Sequence, residues 1–213
     1  MALKINRQKE SMKILNLYAG IGGNRKLWGD EHEITAVERE PKIAAIYQDF
    51  FPKDKMIVGD AHQYLLDHFG EFDFIWSSPP CPTHSITRFM QDEKVYPDMG
   101  VYQEIILLKQ WGKNCKWVIE NVIPYYEPLI KQTIILHRHS FWCNFSISDR
   151  AYPKMQTCKR AKEREFLQEE LGFNIDKYTG IDKRKLLRNC VLPELGLHIL
   201  KESQRDIQGE LFR

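Results

Sequence analysis

Short apolar runs alternate with segments of helical period through the first two-thirds of this chain. Met12–Tyr18 reads as a strand that ends in a glycine turn, Ala19-Gly20-Ile21-Gly22-Gly23. Arg25–Asp30 predicts a short helix opened by that turn. Glu33–Val37 is a second strand, closed by Glu38. Pro41–Phe50 predicts a helix, with Pro41 in its first turn and Ile43, Ala44, Ile46, Tyr47 and Phe50 at helical spacing. Lys55–Val58 predicts a third strand ending at Gly59-Asp60, Ala61–Phe69 a helix, and Phe72–Trp76 a fourth strand. Gly100–Lys113 predicts a helix and Lys116–Ile119 a fifth strand, ended by Glu120. Ile134–Leu136 and Phe141–Phe145 predict two more strands. Between Ser146 and Leu187 the alternation fails, leaving one charged helix over Lys159–Leu171 and turn-rich sequence. Val191–Glu202 returns to helix, with Pro193 in its first turn.

Strands alternating with helices at this pitch predict an α/β fold with a mostly parallel, doubly wound sheet. Ligands of such sheets bind beyond the carboxyl ends of the strands. Gly20, Glu38, Asp60, Cys81 and Glu120 are all expected at such ends. Domain organisation follows the pattern: residues 12–145 and 188–203 form one catalytic unit, 146–187 an appendage, and 204–213 a tail.

Composition changes this picture in two places. The 213 residues carry a net charge of only +2, but residues 146–188 hold 11 Lys/Arg against 7 Asp/Glu, and residues 1–145 hold 17 against 18. A near-neutral body with a basic appendage suits an anionic polymer as substrate, and it equally suits a solvated mixed-charge surface. The five cysteines form no CxxC pair, so neither a disulfide framework nor a zinc site is favoured, and no metal is expected. A reducing cytoplasm fits. No apolar run approaches the roughly 20 residues of a membrane span, and the N-terminus lacks a signal peptide's apolar stretch.

The chemistry concentrates in three short segments. A glycine turn after the first strand lets a ligand approach the backbone, although such turns are often only tight corners. Glu38 suits a ribose hydroxyl and Asp60 an adenine amine; taken singly, either could be a helix cap or a solvated charge. Ser77-Ser78-Pro79-Pro80-Cys81-Pro82 places a thiol between prolines at the end of the fourth strand. A thiolate is a strong nucleophile near neutral pH, whereas a buried free cysteine simply packs. Glu120 suits a structural carboxylate and, if desolvation raises its pKa, a general acid toward a ring nitrogen.

Gly20-Ile21-Gly22-Gly23, Pro79-Pro80-Cys81 and Glu120-Asn121-Val122, in this order, resemble the motifs of the DNA (cytosine-5) methyltransferases. The resemblance covers about residues 1–145 and resumes at Arg188-Asn189-Cys190-Val191-Leu192-Pro193. Size and sequence texture look most like bacteriophage-borne members. The resemblance implies a Rossmann-like methyltransferase fold with S-adenosyl-L-methionine as cofactor and double-stranded DNA as partner. It implies covalent attack by Cys81 on carbon 6 of a flipped-out cytosine, with Glu120 holding ring nitrogen 3. Tyr18, Ala19, Gly20, Ile21, Gly22, Gly23, Glu38, Arg39, Asp60, Ala61, Pro79, Asn189 and Val191 are then expected around the cofactor. Pro80, Ser85, Asn121 and Val122 are expected near the base, and Arg150, Lys154, Lys159 and Arg160 near phosphates. A monomer is expected, and marking of phage DNA against host nucleases is the implied role. A tRNA cytosine methyltransferase shares these motifs, and a non-catalytic nucleic-acid-binding relative is the alternative of another class.

Two departures from that family stand out. Its Arg-x-Arg pair after the sixth strand is replaced by His137-Arg138-His139; strand alternation turns His139 toward the base unless a bulge turns Arg138 inward. The recognition region is much reduced, with only the residues between Phe145 and Arg188 available, so a short, relaxed target is expected. At the end of the chain, Gln208-Gly209-Glu210-Leu211-Phe212 matches a loose pattern by which bacterial proteins dock on the replication sliding clamp; such short matches also arise by chance.

Overall fold

Seven strands, β1 (Lys13–Leu17), β2 (Glu33–Glu38), β3 (Lys55–Val58), β4 (Phe74–Ser77), β5 (Lys116–Val122), β6 (Ile134–Leu136) and β7 (His139–Cys143), form one sheet ordered β3-β2-β1-β4-β5-β7-β6. The computed structural model describes residues 11–85, 88, 95–152 and 162–210, the last five as backbone only. Strands β1 to β5 pair in parallel, and β7 runs antiparallel to both β5 and β6. The strand order reverses between β1 and β4, so a crevice opens at their carboxyl ends.

The sheet is covered on both faces, which is why β1 beyond Lys13 and all of β4 are buried without polar alternation. On one face Ile14, Trp76, Val118 and Phe141 pack against α1 (Pro41–Phe50) and α6 (Pro193–Glu210). On the other, Leu15, Leu17, Ile75 and Ile119 pack against α2 (Ala61–His68) and α3 (Gly100–Trp111). Helices α4 (Glu163–Leu171) and α5 (Lys183–Arg188) add Leu167, Leu171, Leu186 and Leu187 to the first cluster. The described part of the basic appendage is thus built onto the catalytic core.

Four sequence expectations are corrected. Arg25–Asp30 forms turns rather than a helix. Its flanks are glycines, with Gly22 at φ 82° and Gly29 at φ 85°, and the few residues between them are held by burial. Arg25 Nε and Nη2 donate to Asp54 at 2.9 and 3.0 Å, and Trp28 packs against Phe74 and Trp76. Strand β5 runs on to Val122, because its pairing with β7 satisfies the backbone through Val122↔His139. Glu120 therefore lies within the strand rather than beyond its end. The turn-rich stretch contains α5, too short to show a period but capped by Asp182, whose side chain accepts from Lys185 N. Helix α6 extends to Glu210, so Gln208–Glu210 are helical, while Leu211 and Phe212 of the clamp-like pattern lie outside the described residues.

Candidate active site

The glycine turn works differently from the sequence expectation. With no helix directly behind it, the turn presents no helix N-terminus of its own. The Gly20 N–H donates instead to Glu38 Oε2 at 3.0 Å, and the Glu40 N–H donates to Glu38 Oε1 at 3.0 Å. Glu38 thereby locks the end of β2 to the end of β1. Only Gly20 faces open space: a Cβ there would meet nothing within 4 Å, at φ +55°. At Gly22 a Cβ would meet Phe51 at 2.4 Å, and at Gly23 the Val191 carbonyl at 2.6 Å. Gly22 and Gly23 are required by packing, and Gly20 alone leaves the backbone open to a ligand.

Other residues expected around the cofactor are distributed as follows. Ala19 and Ile21 are buried, and Ile21 is part of the core. Asp60 is exposed and caps α2, its Oδ1 accepting from Gln63 N at 3.0 Å, with Ala61 buried behind it. Arg39 is exposed beside Glu38. Val191 is buried in the core against Gly23, and Asn189 is exposed at the end of α5. The donor chemistry fits S-adenosylmethionine: Glu38 and Asp60 are acceptors at the ends of β2 and β3, flanking the open backbone at Gly20. A carboxylate has about four lone-pair positions, so these caps leave room for ribose hydroxyls and an amine.

Pro79 and Cys81 follow the carboxyl end of β4. Pro79 is buried and its carbonyl accepts from Asn121 Nδ2 at 3.0 Å, while Asn121 Oδ1 accepts from Val122 N. Asn121 thus clamps the proline loop to β5. Pro80 is exposed and Cys81 half-buried. Ser85 bridges to Pro124, holding the loop's far end against the segment after β5. His84 reinforces that contact: its Nδ1 lies 2.6 Å from Tyr126 Oη. Burial pushes the Cys81 thiol pKa up, and the Glu120 charge pushes it further; Arg138 and Lys185 pull the other way. The resting group is a protonated thiol.

Glu120 is paired in a way the sequence did not show. Burial raises its pKa, but His139, Ser78 and Arg138 together outweigh burial and hold it below the ordinary range. The expectation of a desolvation-raised carboxylic acid is corrected: Glu120 is an ionised carboxylate. An ionised carboxylate only accepts, so His139 Nδ1, bonded to Glu120 Oε1, carries the proton. The other ring nitrogen accepts from Arg138 Nε at 3.3 Å. Arg138 also donates to the Arg188 and Cys190 carbonyls at 2.6 and 3.2 Å.

Arg138 and His139, posed by the sequence as alternatives, therefore act in series. His139 reaches Glu120 because Val122 is its cross-strand partner, which makes Glu120 its diagonal neighbour on the same face. Arg138 sits behind it in the β6–β7 turn, where His137 takes φ 56°. His137 itself stacks on His139 at 6.2 Å between ring centres.

Of the expected phosphate contacts, Arg150 is exposed with its guanidinium over Tyr152, and Lys154, Lys159 and Arg160 lie outside the described residues. Lys185, which sequence reasoning missed, is exposed on α5 and acts electrostatically on Cys81. Its neighbours are engaged: Lys183 donates to the Asp176 carbonyl, and Arg184 and Arg188 pair with Glu163. No helix among the described residues is long and apolar enough to cross a membrane.

Known proteins share this family and fold. Residues 12–122 match the family described as C-5 cytosine-specific DNA methylase. Among solved structures, the Entamoeba histolytica methyltransferase EhMeth is similar over 93% of this chain and 99% of its own, with 12% identity and a TM-score of 0.58. A mutant of Spodoptera frugiperda DNMT2 shares 29% identity over 53% of this chain and 36% of its own, with a TM-score of 0.38. An S-adenosylmethionine-dependent methyltransferase from Agrobacterium tumefaciens covers 54% of this chain and 40% of its own at 14% identity, with a TM-score of 0.40. No curated protein matches the chain. The chain belongs to the C-5 cytosine-specific DNA methylase family, and its methyl donor is S-adenosylmethionine.

Proposed function

We propose that this protein methylates carbon 5 of cytosine in double-stranded DNA through a covalent adduct on Cys81. The observation that carries this reading is the electrostatic coupling of Cys81 to an ionised Glu120 backed by His139 and Arg138. A cytosine swung out of the duplex enters the crevice between the proline loop and β5. Cys81 loses its proton to solvent and its sulfur bonds to carbon 6. Negative charge moves onto the ring and is met at nitrogen 3 by Glu120, which takes up a solvent proton as the base binds and donates it there while His139 Nδ1 keeps the carboxyl oriented. The cofactor supplies the methyl group to carbon 5 as an electrophile on its sulfonium. A base then takes the proton from carbon 5, the sulfur–carbon 6 bond breaks, and Cys81 leaves as thiolate. Asn121 holds the loop through Pro79 so that the thiol stays aimed.

The proposed substrate is tested by competition between duplex DNA and tRNA with isotope-labelled cofactor. Label in DNA that excess tRNA leaves unchanged is expected; label in tRNA alone overturns the DNA reading. The proposed target is short, about two to four base pairs, because a good bidentate contact supplies only about 1–3 kcal/mol of discrimination and few side chains reach the bases. Bisulfite sequencing of DNA from expressing cells reads it, and a strict target of six or more base pairs contradicts it.

The relay orders two substitutions. His139→Ala removes the proton donor to Glu120 and is expected to slow methylation more than Arg138→Ala, which leaves that donor in place. Single-turnover rates at saturating cofactor give the comparison, and the reverse order contradicts the relay.

Lys185 is proposed to meet a phosphate beside the flipped nucleotide. Lys185→Glu is expected to weaken DNA binding by about tenfold or more at low salt, and to make that binding less salt-dependent. Fluorescence anisotropy over a salt series checks this, and an unchanged salt dependence contradicts it.

A further inference from the structure

Glu104, at the middle of α3, is fully buried and takes no part in the chemistry above. Its Oε1 accepts from Tyr18 Oη at 2.7 Å and lies 3.1 Å from His62 Nδ1. Its Oε2 accepts from Ser77 Oγ at 2.5 Å. The three partners share one property of position. Tyr18 is the last residue before the glycine turn, Ser77 ends β4 four residues before Cys81, and His62 follows Asp60 and Ala61 in the first turn of α2. One carboxylate therefore ties together three strand ends that carry the cofactor cradle and the nucleophile.

Tyr18 gives a second, independent sign that this tie is under tension. Its φ is 54°, a left-handed conformation that bulky residues rarely adopt. Such a conformation persists where surrounding contacts over-determine it, and such residues gather at functional sites. The contact at hand is the Tyr18 hydroxyl on Glu104. The remaining tie, Ser77, continues directly into Ser78, which receives the Trp76 Nε1 hydrogen bond and in turn bonds Glu120. The Glu104 cluster on one face of the sheet is thus continuous along β4 with the Glu120 cluster on the other. At His62, hydrogen bonding to Glu104 raises the pKa against the effect of burial, with Asp60 and Asp98 adding to the rise.

We propose that Glu104 is a positioning residue that locks the glycine turn to the Cys81 loop, so that cofactor affinity and thiol placement depend on the same buried carboxylate. The proposal rests on the family's cofactor and on Cys81 as nucleophile. Glu104→Gln leaves one acceptor oxygen where there were two, so Tyr18 and Ser77 no longer both donate, and the hold on the left-handed Tyr18 and on the base of the Cys81 loop weakens together. A merely structural role would lower thermal stability and leave ligand affinity unchanged in the folded variant.

Glu104→Gln and Tyr18→Phe separate these outcomes. Calorimetric titration with S-adenosylhomocysteine, at a temperature where circular dichroism shows each variant folded, reads the cradle. Iodoacetamide labelling of Cys81, followed by peptide mass mapping, reads the loop. Glu104→Gln is expected to weaken S-adenosylhomocysteine by about tenfold and Tyr18→Phe by about threefold, in keeping with loss of charged and single hydrogen bonds. Cys81 labelling in Glu104→Gln is expected to change by at least about twofold, as its loop is released. Affinity within about twofold of the parent, or unchanged labelling, overturns the proposal. Should Glu104→Gln fail to fold, Tyr18→Phe alone decides, since it deletes one hydroxyl. A parent that does not bind S-adenosylhomocysteine overturns the cofactor assignment and the proposal together.

Discussion

Cys81→Ser lowers methyl transfer by about three orders of magnitude or more, while S-adenosylhomocysteine affinity stays within about twofold of the parent. The thiol sits beyond the carboxyl end of β4 with its own pKa raised by burial and by Glu120. A serine hydroxyl there meets the same burial and the same negative neighbour, and it starts from a far higher pKa. No nucleophile forms near neutral pH. The proposed cofactor cradle, Gly20, Glu38 and Asp60, lies on other strands, so its affinity is expected to be spared. The raised thiol pKa also sets the pH dependence in the parent. Below that pKa the thiolate fraction grows about tenfold per pH unit, so kcat/KM is expected to climb as pH rises through and beyond neutrality. Stopped assays with labelled cofactor across that range measure it. A rate that falls with pH there, or a serine variant with appreciable activity, contradicts the assignment.

Glu120→Gln is the second large effect, with methyl transfer falling by about two to three orders of magnitude. The amide keeps the shape of the side chain and can accept one bond from His139 Nδ1. It cannot take up a proton and pass it to the ring nitrogen. The same substitution carries a stability signature. The carboxyl of Glu120 titrates below its ordinary 4.5. A depressed folded-state pKa means that the pairing stabilises the native state fully above the unfolded value and fades as pH falls through the folded one. Glu120→Gln is therefore expected to flatten the acid limb of the melting-temperature profile below about pH 4.5, leaving its neutral limb parallel to the parent's. Thermal scans from acid to neutral pH check this, and parallel acid limbs contradict it.

The sheet was legible because its strands are buried on both faces and read as unbroken apolar runs between helices. The positions of Glu38, Asp60 and Cys81 followed from the ends of those runs. What failed to show was set by long-range contacts. Arg25–Asp30 looks helical in isolation, but Asp54 claims the Arg25 guanidinium and the core claims Trp28. Gly22 and Gly23 resemble ligand-facing glycines until the packing of Phe51 and Val191 against them is visible. The protonation of Glu120 was inverted because burial could be guessed from the sequence, whereas His139 reaches it only through the β5–β7 register. Glu104 and Lys185 carried no sequence signal at all. One sits among apolar residues of a helix, and the other belongs to a helix of only six residues.

The central claim is that Cys81 forms a covalent bond with cytosine in DNA. It is tested most directly with a duplex in which one strand carries 5-fluorocytosine in place of every cytosine, incubated with protein and cofactor. Fluorine at carbon 5 cannot leave as a proton, so the adduct formed after methyl transfer cannot resolve. The account predicts a denaturation-resistant protein–DNA complex whose mass maps to the peptide carrying Cys81 and which is absent in Cys81→Ser. A parent protein that binds cofactor and DNA yet forms no such complex, or forms it at another residue, contradicts the account.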